Sequence, residues 1–184
     1  EDEHILAIHK PEGVPFHSDD NEVGIVQKVR KGLQTETLFP IHRLDKITSG
    51  LMIFAKTEAA NKDLSVQLAN KTLEKYYLAV SAKKPLKKQG LVSGDMEKGR
   101  RGSYLLKRDK NNPAKTRFFA QALKTQVKEQ YIDASNNAWL YILKPETGKT
   151  HQLRVALKSL ASPVFGDRRY GPDEADRGYL HAYK

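Results

Sequence analysis

Strand-like segments outnumber helical ones in this sequence, and they do not alternate with helices in a regular order. Five runs of apolar, aromatic and β-branched residues predict strands at 5–8, 51–55, 75–80, 117–123 and 139–143. Only three windows place apolar residues at helical spacing, and they begin near Ile25, Thr57 and Thr150. This order differs from the βαβ alternation that builds parallel sheets. We therefore predict an α+β fold, with a mixed, mostly antiparallel sheet flanked by a few helices and loops.

Local signals set the predicted boundaries of these elements. Thr57 and Thr150 each stand where a threonine side chain can cap the first turn of a helix. Pro163 is expected to end the helix that follows Thr150. Gly50 leads into the strand at 51–55, which leaves the preceding polar residues in a loop. The basic, Gly- and Asn-rich stretch 83–114 predicts a hairpin with long irregular arms.

The net charge of +10 is concentrated in one quarter of the chain. Residues 71–117 hold 14 basic and 4 acidic side chains, whereas residues 1–70 have a net charge of −3 and residues 118–184 of +3. One interpretation is a solvated, lysine-rich surface. The other is a surface that binds a polyanion, because clustered Lys and Arg displace counterions from phosphates. No run approaches the roughly 20 apolar residues of a membrane span, and no membrane partner is expected.

The chain has 184 residues and no cysteine. This length suits one domain with a hydrophobic core, and we predict a single catalytic domain over 1–184, shortened at one or both ends. The lack of cysteine excludes disulfides and thiol chemistry within the sequence. A monomer in the cytoplasm is the expectation that fits these features.

Asp45 is the first candidate for chemistry. It lies in a predicted loop beside basic residues and hydroxyls, where a carboxylate stays ionised and can attack an electrophilic carbon. The alternative is a turn-stabilising aspartate whose side chain accepts the backbone amides of Thr48 or Ser49. Spacing alone does not decide between the two.

Two further candidates lie in the second half of the sequence. Arg154 falls one turn into a predicted helix, where its guanidinium can hold a carboxylate bidentately, and the alternative is a surface ion pair. Tyr77 lies in a predicted strand, and its ring either packs in the core or contacts a nucleobase.

Metal and nucleotide sites are not expected. No two of the histidines at 9, 17, 42 and 151 have the i, i+4 spacing of a helical zinc motif. Residues 148–150, Gly-Lys-Thr, match the end of a phosphate-binding P-loop, but position 143, where that motif needs glycine, is leucine.

Taken together, four ordered motifs resemble the RluA-type RNA pseudouridine synthases. The first is His9-Lys10-Pro11-Glu12-Gly13, and the second is His42-Arg43-Leu44-Asp45, followed after two residues by Thr48-Ser49-Gly50-Leu51. The third is Lys75-Tyr76-Tyr77-Leu78-Ala79. The fourth runs from Gly148 to Val155 and continues through Pro163 to the segment Gly166-Asp167-Arg168-Arg169-Tyr170-Gly171. The resemblance covers about residues 5–182 and is similar to members without an S4 module. It departs from the usual family residues at His9, Ile47 and Lys149.

This resemblance implies an isomerase that converts uridine to pseudouridine in RNA by base flipping, without metal or cofactor. It assigns the nucleophile to Asp45, the cation that keeps it ionised to Arg154, and contact with the base and proton removal to Tyr77. Attack at ribose C1′ and attack at the base both remain open. The further substrate-binding residues are Arg43, which would fill the gap left by the flipped nucleotide, Leu153, which would pack on uracil, and His42, Thr48 and His151.

The expected partner is a stem-loop of ribosomal or transfer RNA. Residues 83–117 hold 12 basic and 3 acidic side chains, and they are expected to contact the RNA backbone through Lys83, Lys84, Lys87, Lys88, Arg100 and Arg101. Two other classes remain as alternatives. A non-catalytic nucleic-acid-binding module would bind RNA without forming pseudouridine, and a His/Asp phosphodiesterase would cleave it.

Overall fold

The structure, a computed structural model, describes residues 2–18, 21–123, 138–171 and 175–184. The chain divides into two compact units. The first comprises residues 1–74 together with 181–184, and the second comprises residues 75–180. The sequence predicted a single catalytic domain over 1–184. A division by contacts does not test whether the two units work as one catalytic domain, so this stays a prediction.

The first unit is organised around one central strand, β3. Its elements are β1 (Ile5–Lys10), α1 (Ile25–Leu33), β2 (Phe39–Pro40), β3 (Thr48–Ala55) and α2 (Glu58–Ala69). Strand β1 pairs antiparallel with β3 along its whole length, and β2 pairs antiparallel with the end of β3. Helix α2 buries Leu64 against Ile41 and Ala55, which form a small apolar core.

Strand β3 begins three residues before the predicted start. Thr48, Ser49 and Gly50 were expected in a loop, but all three are buried strand residues. Gly50 has a φ of +113°, and a Cβ built there would lie 2.2 Å from the carbonyl oxygen of Ala182. A glycine is therefore required for the main chain near the C-terminus to approach β3 this closely. The small and polar residues 48–50 predicted a loop, but in the structure they belong to a strand that another main-chain segment approaches closely.

The second unit contains most of the strands. Its elements are β4 (Tyr77–Ser81), β5 (Gln89–Gly94), β6 (Met96–Lys98), β7 (Tyr104–Leu106), β8 (Ala114–Ala122), β9 (Trp139–Pro145) and α3 (Gln152–Ser159), and β10 (Leu180–Ala182) follows at its boundary. Strands β4, β9, β8 and β5 pair antiparallel in that order. Strands β6 and β7 form a separate two-stranded hairpin within the predicted stretch. The predicted α+β class with a mostly antiparallel sheet is confirmed.

The two predicted helix caps have different outcomes. Thr57 caps α2, because its Oγ1 accepts the amide of Ala60 at 3.2 Å. The prediction that Thr150 caps α3 is wrong. The residue before that helix is His151, in a left-handed conformation with φ +56°, and no side chain caps the helix. The side chain of Gln152 instead accepts the amide of Lys149 at 3.0 Å, which organises the approach to the helix. No helix in the described part of the chain could cross a bilayer.

Candidate active site

Asp45 lies on a tight turn of the first unit, between buried Leu44 and the start of β3. Its side chain is half-buried. The amide of Thr48 donates to the main-chain carbonyl oxygen of Asp45 at 3.0 Å and closes the turn. This contact fixes the backbone of Asp45, and the alternative of an aspartate whose side chain accepts the amide of Thr48 or Ser49 stays open.

A second turn, Pro11 to Val14, is attached to the Asp45 loop. The amide of Gly13 donates to the carbonyl oxygen of Lys46 at 2.8 Å. The Lys10 ammonium donates to the carbonyl oxygens of Pro11 at 2.7 Å and Val14 at 2.8 Å, and it reaches that of Lys46 at 3.5 Å. The residue next to Asp45 is therefore held from both the main chain and a side chain of the first motif.

Lys10 is fully buried, with 0% of its surface exposed. Desolvation by this burial lowers the pKa of Lys10 to about 8 from an ordinary 10.5, although the negative charges of Glu12, Asp45 and Glu22 act in the opposite direction. A buried ammonium thus interacts electrostatically with Asp45 inside the same unit. Composition and periodicity gave no sign of a role for Lys10, because lysine is almost never fully buried. Lys10 stood out in the sequence only as part of the first family motif.

Two other residues of the Asp45 motif have defined surroundings. Arg43 is exposed, and its guanidinium carbon lies 5.7 Å from the centroid of the Phe16 ring. The Nε2 atom of His42 accepts the amide of Ile53 at 3.3 Å. His42 thus supports β3, while the Arg43 side chain is exposed on the loop.

Arg154 lies in the second unit, and it is held by a residue that the sequence did not single out. Its Nε and Nη2 atoms each donate to the Asp167 carboxylate at 2.8 Å, and both side chains are buried. The guanidinium carbon also lies 5.0 Å from the centroid of the Tyr170 ring. Arg154 thus makes a bidentate carboxylate contact with Asp167 inside the protein and not a surface ion pair. Its role toward Asp45, which the resemblance implies, stays a prediction. The signal for Asp167 was its place in the fourth motif, because composition alone gives no sign of burial.

Tyr77 and Leu153 are both 8% exposed and lie on rigid elements of this unit. Tyr77 opens β4, where it pairs with Leu143 of β9. Leu153 lies in the first turn of α3, one residue before Arg154. Both residues therefore have their backbone in regular structure and their side chains largely buried.

His151 belongs to an aromatic cluster at the start of α3. Its Nδ1 atom lies 2.9 Å from the Tyr170 hydroxyl, and its ring packs edge-on against Tyr104 and Tyr170. The same hydroxyl accepts the amide of Tyr104 at 2.8 Å. Burial raises the pKa of Tyr170, so its hydroxyl stays neutral at physiological pH. His151 therefore organises this cluster through a neutral tyrosine.

The six residues predicted to contact RNA backbone are all exposed in the second unit. Lys83, Lys84, Lys87 and Lys88 lie between β4 and β5, and Arg100 and Arg101 lie at the tip of the β6–β7 hairpin. None of the six side chains forms a salt bridge to another residue that the structure describes. Their charge thus stays available to a polyanion. Among the described residues, no group of three or more His, Asp or Glu side chains could hold a metal ion.

Comparison with known proteins gives a consistent answer. The sequence profile of the family described as RNA pseudouridylate synthase matches residues 4–159. An uncharacterised RNA pseudouridine synthase of Haemophilus influenzae is 45% identical over 97% of this chain and 75% of its own length. Ribosomal large subunit pseudouridine synthase C of Escherichia coli K12 is 34% identical over 99% of this chain, which spans only 55% of that protein.

Solved structures share the fold. The human RNA pseudouridylate synthase domain containing 1 superposes with a TM-score of 0.80 at 23% identity, over 99% of this chain and 74% of its own. The human RNA pseudouridylate synthase domain containing 4 has a TM-score of 0.75 at 24% identity, over 99% and 80% of the two chains. At these identities the likeness concerns the fold alone.

Proposed function

The chain belongs to the RNA pseudouridylate synthase family, and from that premise we propose that Asp45 is the nucleophile with which it isomerises uridine to pseudouridine. In this reaction an Asp45 oxygen forms a transient bond to ribose C1′ or to the base, the N1–C1′ bond of the nucleotide breaks, and the base turns. The bond to Asp45 breaks again, a C5–C1′ bond forms, C5 loses its proton, and N1 carries a proton at the end. Atoms and electrons balance within the substrate, so the reaction requires no redox partner.

The observation that carries the proposal is the setting of the Asp45 carboxylate. It stands on a turn whose backbone is closed by Thr48 and whose next residue is held by Lys10 and Gly13. A nucleophile needs an ionised carboxylate at a fixed position, and the buried Lys10 ammonium favours negative charge nearby. The closed turn fixes the backbone of Asp45, and the buried Lys10 ammonium interacts with its negative charge.

Arg154, Tyr77 and Leu153 are proposed to serve the same reaction from the second unit. Arg154 presents a guanidinium in a plane fixed by Asp167, which suits it to orient an anionic group. Tyr77 is proposed to contact the base and assist proton removal from C5, and Leu153 to pack on the face of uracil. Arg43, exposed beside Phe16, is proposed to occupy the gap left by the flipped nucleotide.

The proposed substrate is a structured segment of ribosomal RNA. This choice rests on the name of the Escherichia coli relative, a ribosomal large subunit pseudouridine synthase. Transfer RNA is the competing substrate class. Mapping pseudouridines in total RNA, with and without the gene, separates the two, because the sites that disappear lie in one RNA class or the other.

Substitution of the nucleophile tests the proposal. Asp45→Asn keeps the size of the side chain but removes its charge, and we expect it to abolish pseudouridine formation while RNA affinity stays near that of the wild type. Asp63→Asn, an exposed site on α2, is the matched control and should keep full activity. Pseudouridine formation by pure Asp45→Asn at a tenth of the wild-type rate would remove Asp45 from this role. Cleavage of the RNA would instead favour a phosphodiesterase.

The basic surface of residues 83–117 is proposed to bind the RNA backbone. Replacing Lys83, Lys84, Lys87 and Lys88 with Glu should weaken binding and flatten its salt dependence by about 0.7–0.9 in the log–log slope for each lost phosphate contact. Turnover at saturating RNA should hardly change. The same charge change at four exposed lysines of the first unit, Lys31, Lys62, Lys71 and Lys184, is the control. Equal salt slopes for both quadruple variants would mean that only net charge matters.

A further inference from the structure

The fourth motif ends in the segment Asp167 to Gly171, here called the 167–171 turn, of which the proposed function uses only the contact of Asp167 with Arg154. The carbonyl oxygen of Asp167 accepts the amides of Tyr170 at 3.2 Å and Gly171 at 2.8 Å. The carboxylate of the same residue accepts the amide of Arg169 at 3.0 Å. One buried aspartate therefore closes this turn through both its main chain and its side chain.

One side of the turn fixes Arg154. Asp167 pairs with the guanidinium through two bonds of 2.8 Å, and the Tyr170 ring lies 5.0 Å from its central carbon. The bidentate contact sets the plane of the guanidinium, and the ring restricts movement out of that plane. The orientation of Arg154 consequently depends on where the 167–171 turn lies.

The other side of the turn holds the β6–β7 hairpin, residues 96–106. The Tyr170 hydroxyl accepts the amide of Tyr104 in β7. The guanidinium of Arg169 donates to the carbonyl oxygen of Arg101 at the hairpin tip. Two adjacent residues of one turn thus hold the hairpin at its tip and at Tyr104, the β7 residue beside the tip.

The hairpin depends on such contacts for its position. It is a sheet of two strands separate from the larger one, and an isolated two-stranded hairpin is marginally stable in water. Three exposed cationic side chains lie in the hairpin, Lys98, Arg100 and Arg101, and Lys107 and Arg108 directly follow it, with Lys107 paired to Glu97 at 2.9 Å. A polyanion bound there would therefore act on an element that Arg169 and Tyr170 help to hold.

We propose that the 167–171 turn couples the β6–β7 hairpin to Arg154, so that engagement of RNA backbone by the hairpin settles the guanidinium in its working orientation. Arg169 and Tyr170 are then positioning residues, because they act through Arg154 rather than on the base. The inference rests on the proposed roles of Arg154 and of the basic surface. It adds that an RNA reaching the hairpin raises turnover as well as affinity.

The test is a double-mutant cycle on turnover at saturating RNA. Tyr170→Phe removes the hydroxyl that holds Tyr104 but keeps the ring against Arg154. The paired variant Arg100→Ala/Arg101→Ala removes the charge of the hairpin tip. Each of the two variants should lower turnover about tenfold, which is within the usual range of coupling between sites. The variant that combines all three substitutions should be no slower than either one alone, because both act on the same step. Tyr183→Phe, at a tyrosine that is 64% exposed, is the matched control and should leave turnover unchanged.

A substrate comparison separates coupling from general loosening of the fold. On a short RNA that cannot reach the hairpin, wild type and Tyr170→Phe should turn over equally once the folded fraction has been measured by thermal unfolding. Equal loss on short and long RNA, additive effects in the cycle, or unchanged turnover of Tyr170→Phe on the long RNA would each overturn the coupling. Full activity of Arg154→Ala on the short RNA would instead refute the proposed role of Arg154, so the two failures are distinguishable.

Discussion

Each of the two units buries one cation that matters for the proposed reaction, and they do so by opposite means. In the first unit, the Lys10 ammonium is surrounded by carbonyl oxygens of Pro11, Val14 and Lys46. In the second, the Arg154 guanidinium is paired with a buried carboxylate, Asp167. Carbonyl dipoles leave the net charge of the lysine in place, whereas a carboxylate offsets that of the arginine.

The difference assigns the two cations different tasks. A buried charge without a counterion is costly, and desolvation accordingly lowers the pKa of Lys10 to about 8. Arg154 stays charged because of its high pKa. Asp167 offsets that charge, so Arg154 mainly offers oriented N–H donors. We infer that Lys10 acts on Asp45 through its field, while Arg154 acts through geometry.

Asp167→Ala should produce the largest loss of stability. It leaves the buried guanidinium without its counterion, and breaking a buried pair in this way costs about 3–5 kcal/mol. Urea unfolding should show this decrease in the free energy of unfolding, while Asp176→Ala, at an exposed aspartate, should stay within about 0.5 kcal/mol of wild type. The double variant Arg154→Met/Asp167→Leu should recover part of the loss. A decrease below about 1 kcal/mol for Asp167→Ala would contradict a buried ion pair.

Lys10→Met should destabilise less, by about 1–3 kcal/mol. It leaves buried carbonyl oxygens without their donor, but it leaves no fully buried charge without its partner. The desolvation cost that wild type carries also disappears in this variant. Lys46→Met, at an exposed lysine paired with Glu22 at 2.9 Å, is the control and should change stability by no more than about 1 kcal/mol. Should Lys10→Met prove worse than Asp167→Ala, the contrast between the two cations would fail.

The stability due to Lys10 should depend on pH, and that due to Arg154 should not. The folded pKa of Lys10, about 8, lies below the ordinary value of 10.5, so between these values the unfolded chain binds more protons than the folded chain. Rising pH therefore favours folding through this group. The free energy of unfolding of wild type, minus that of Lys10→Met, should increase between pH 8 and 10.5 and stay level below pH 8. Urea titrations across this range measure the difference, and a level curve throughout would show that Lys10 titrates normally.

The fold class and the family could be predicted because they depend on repeated, local signals. Strands were recognised from runs of β-branched and aromatic residues, and the predicted Thr57 cap is confirmed. The family could be predicted because four motifs occur in one order, and the match of the family profile to residues 4–159 confirms it. The start of β3 was missed, since Thr48, Ser49 and Gly50 indicate a loop when the close approach of Ala182 is unknown.

The supports of the site were less predictable than its proposed reactive groups. Asp45 and Arg154 stand in motifs whose residue types suggest chemistry. Lys10 and Asp167 are fully buried, yet a lysine before a proline and an aspartate after a glycine are ordinary surface patterns. Their burial depends on contacts between residues distant in sequence, such as Lys10 with Lys46. Periodicity and spacing carry no record of such contacts.

The smallest effect contrasts the helix starts of the two units. In α2 the Thr57 hydroxyl accepts the amide of Ala60, and Thr57→Ala should cost about 1 kcal/mol. In α3 the exposed Thr150 is not the capping residue, because His151 takes a left-handed conformation and the Gln152 side chain satisfies the Lys149 amide. Thr150→Ala should therefore change the free energy of unfolding by less than about 0.5 kcal/mol. Both substitutions remove the same atoms, so unfolding the two variants in parallel isolates the hydrogen bond. Equal losses would show that Thr150 stabilises its helix after all, and that the start of α3 depends on a contact other than the one made by Gln152.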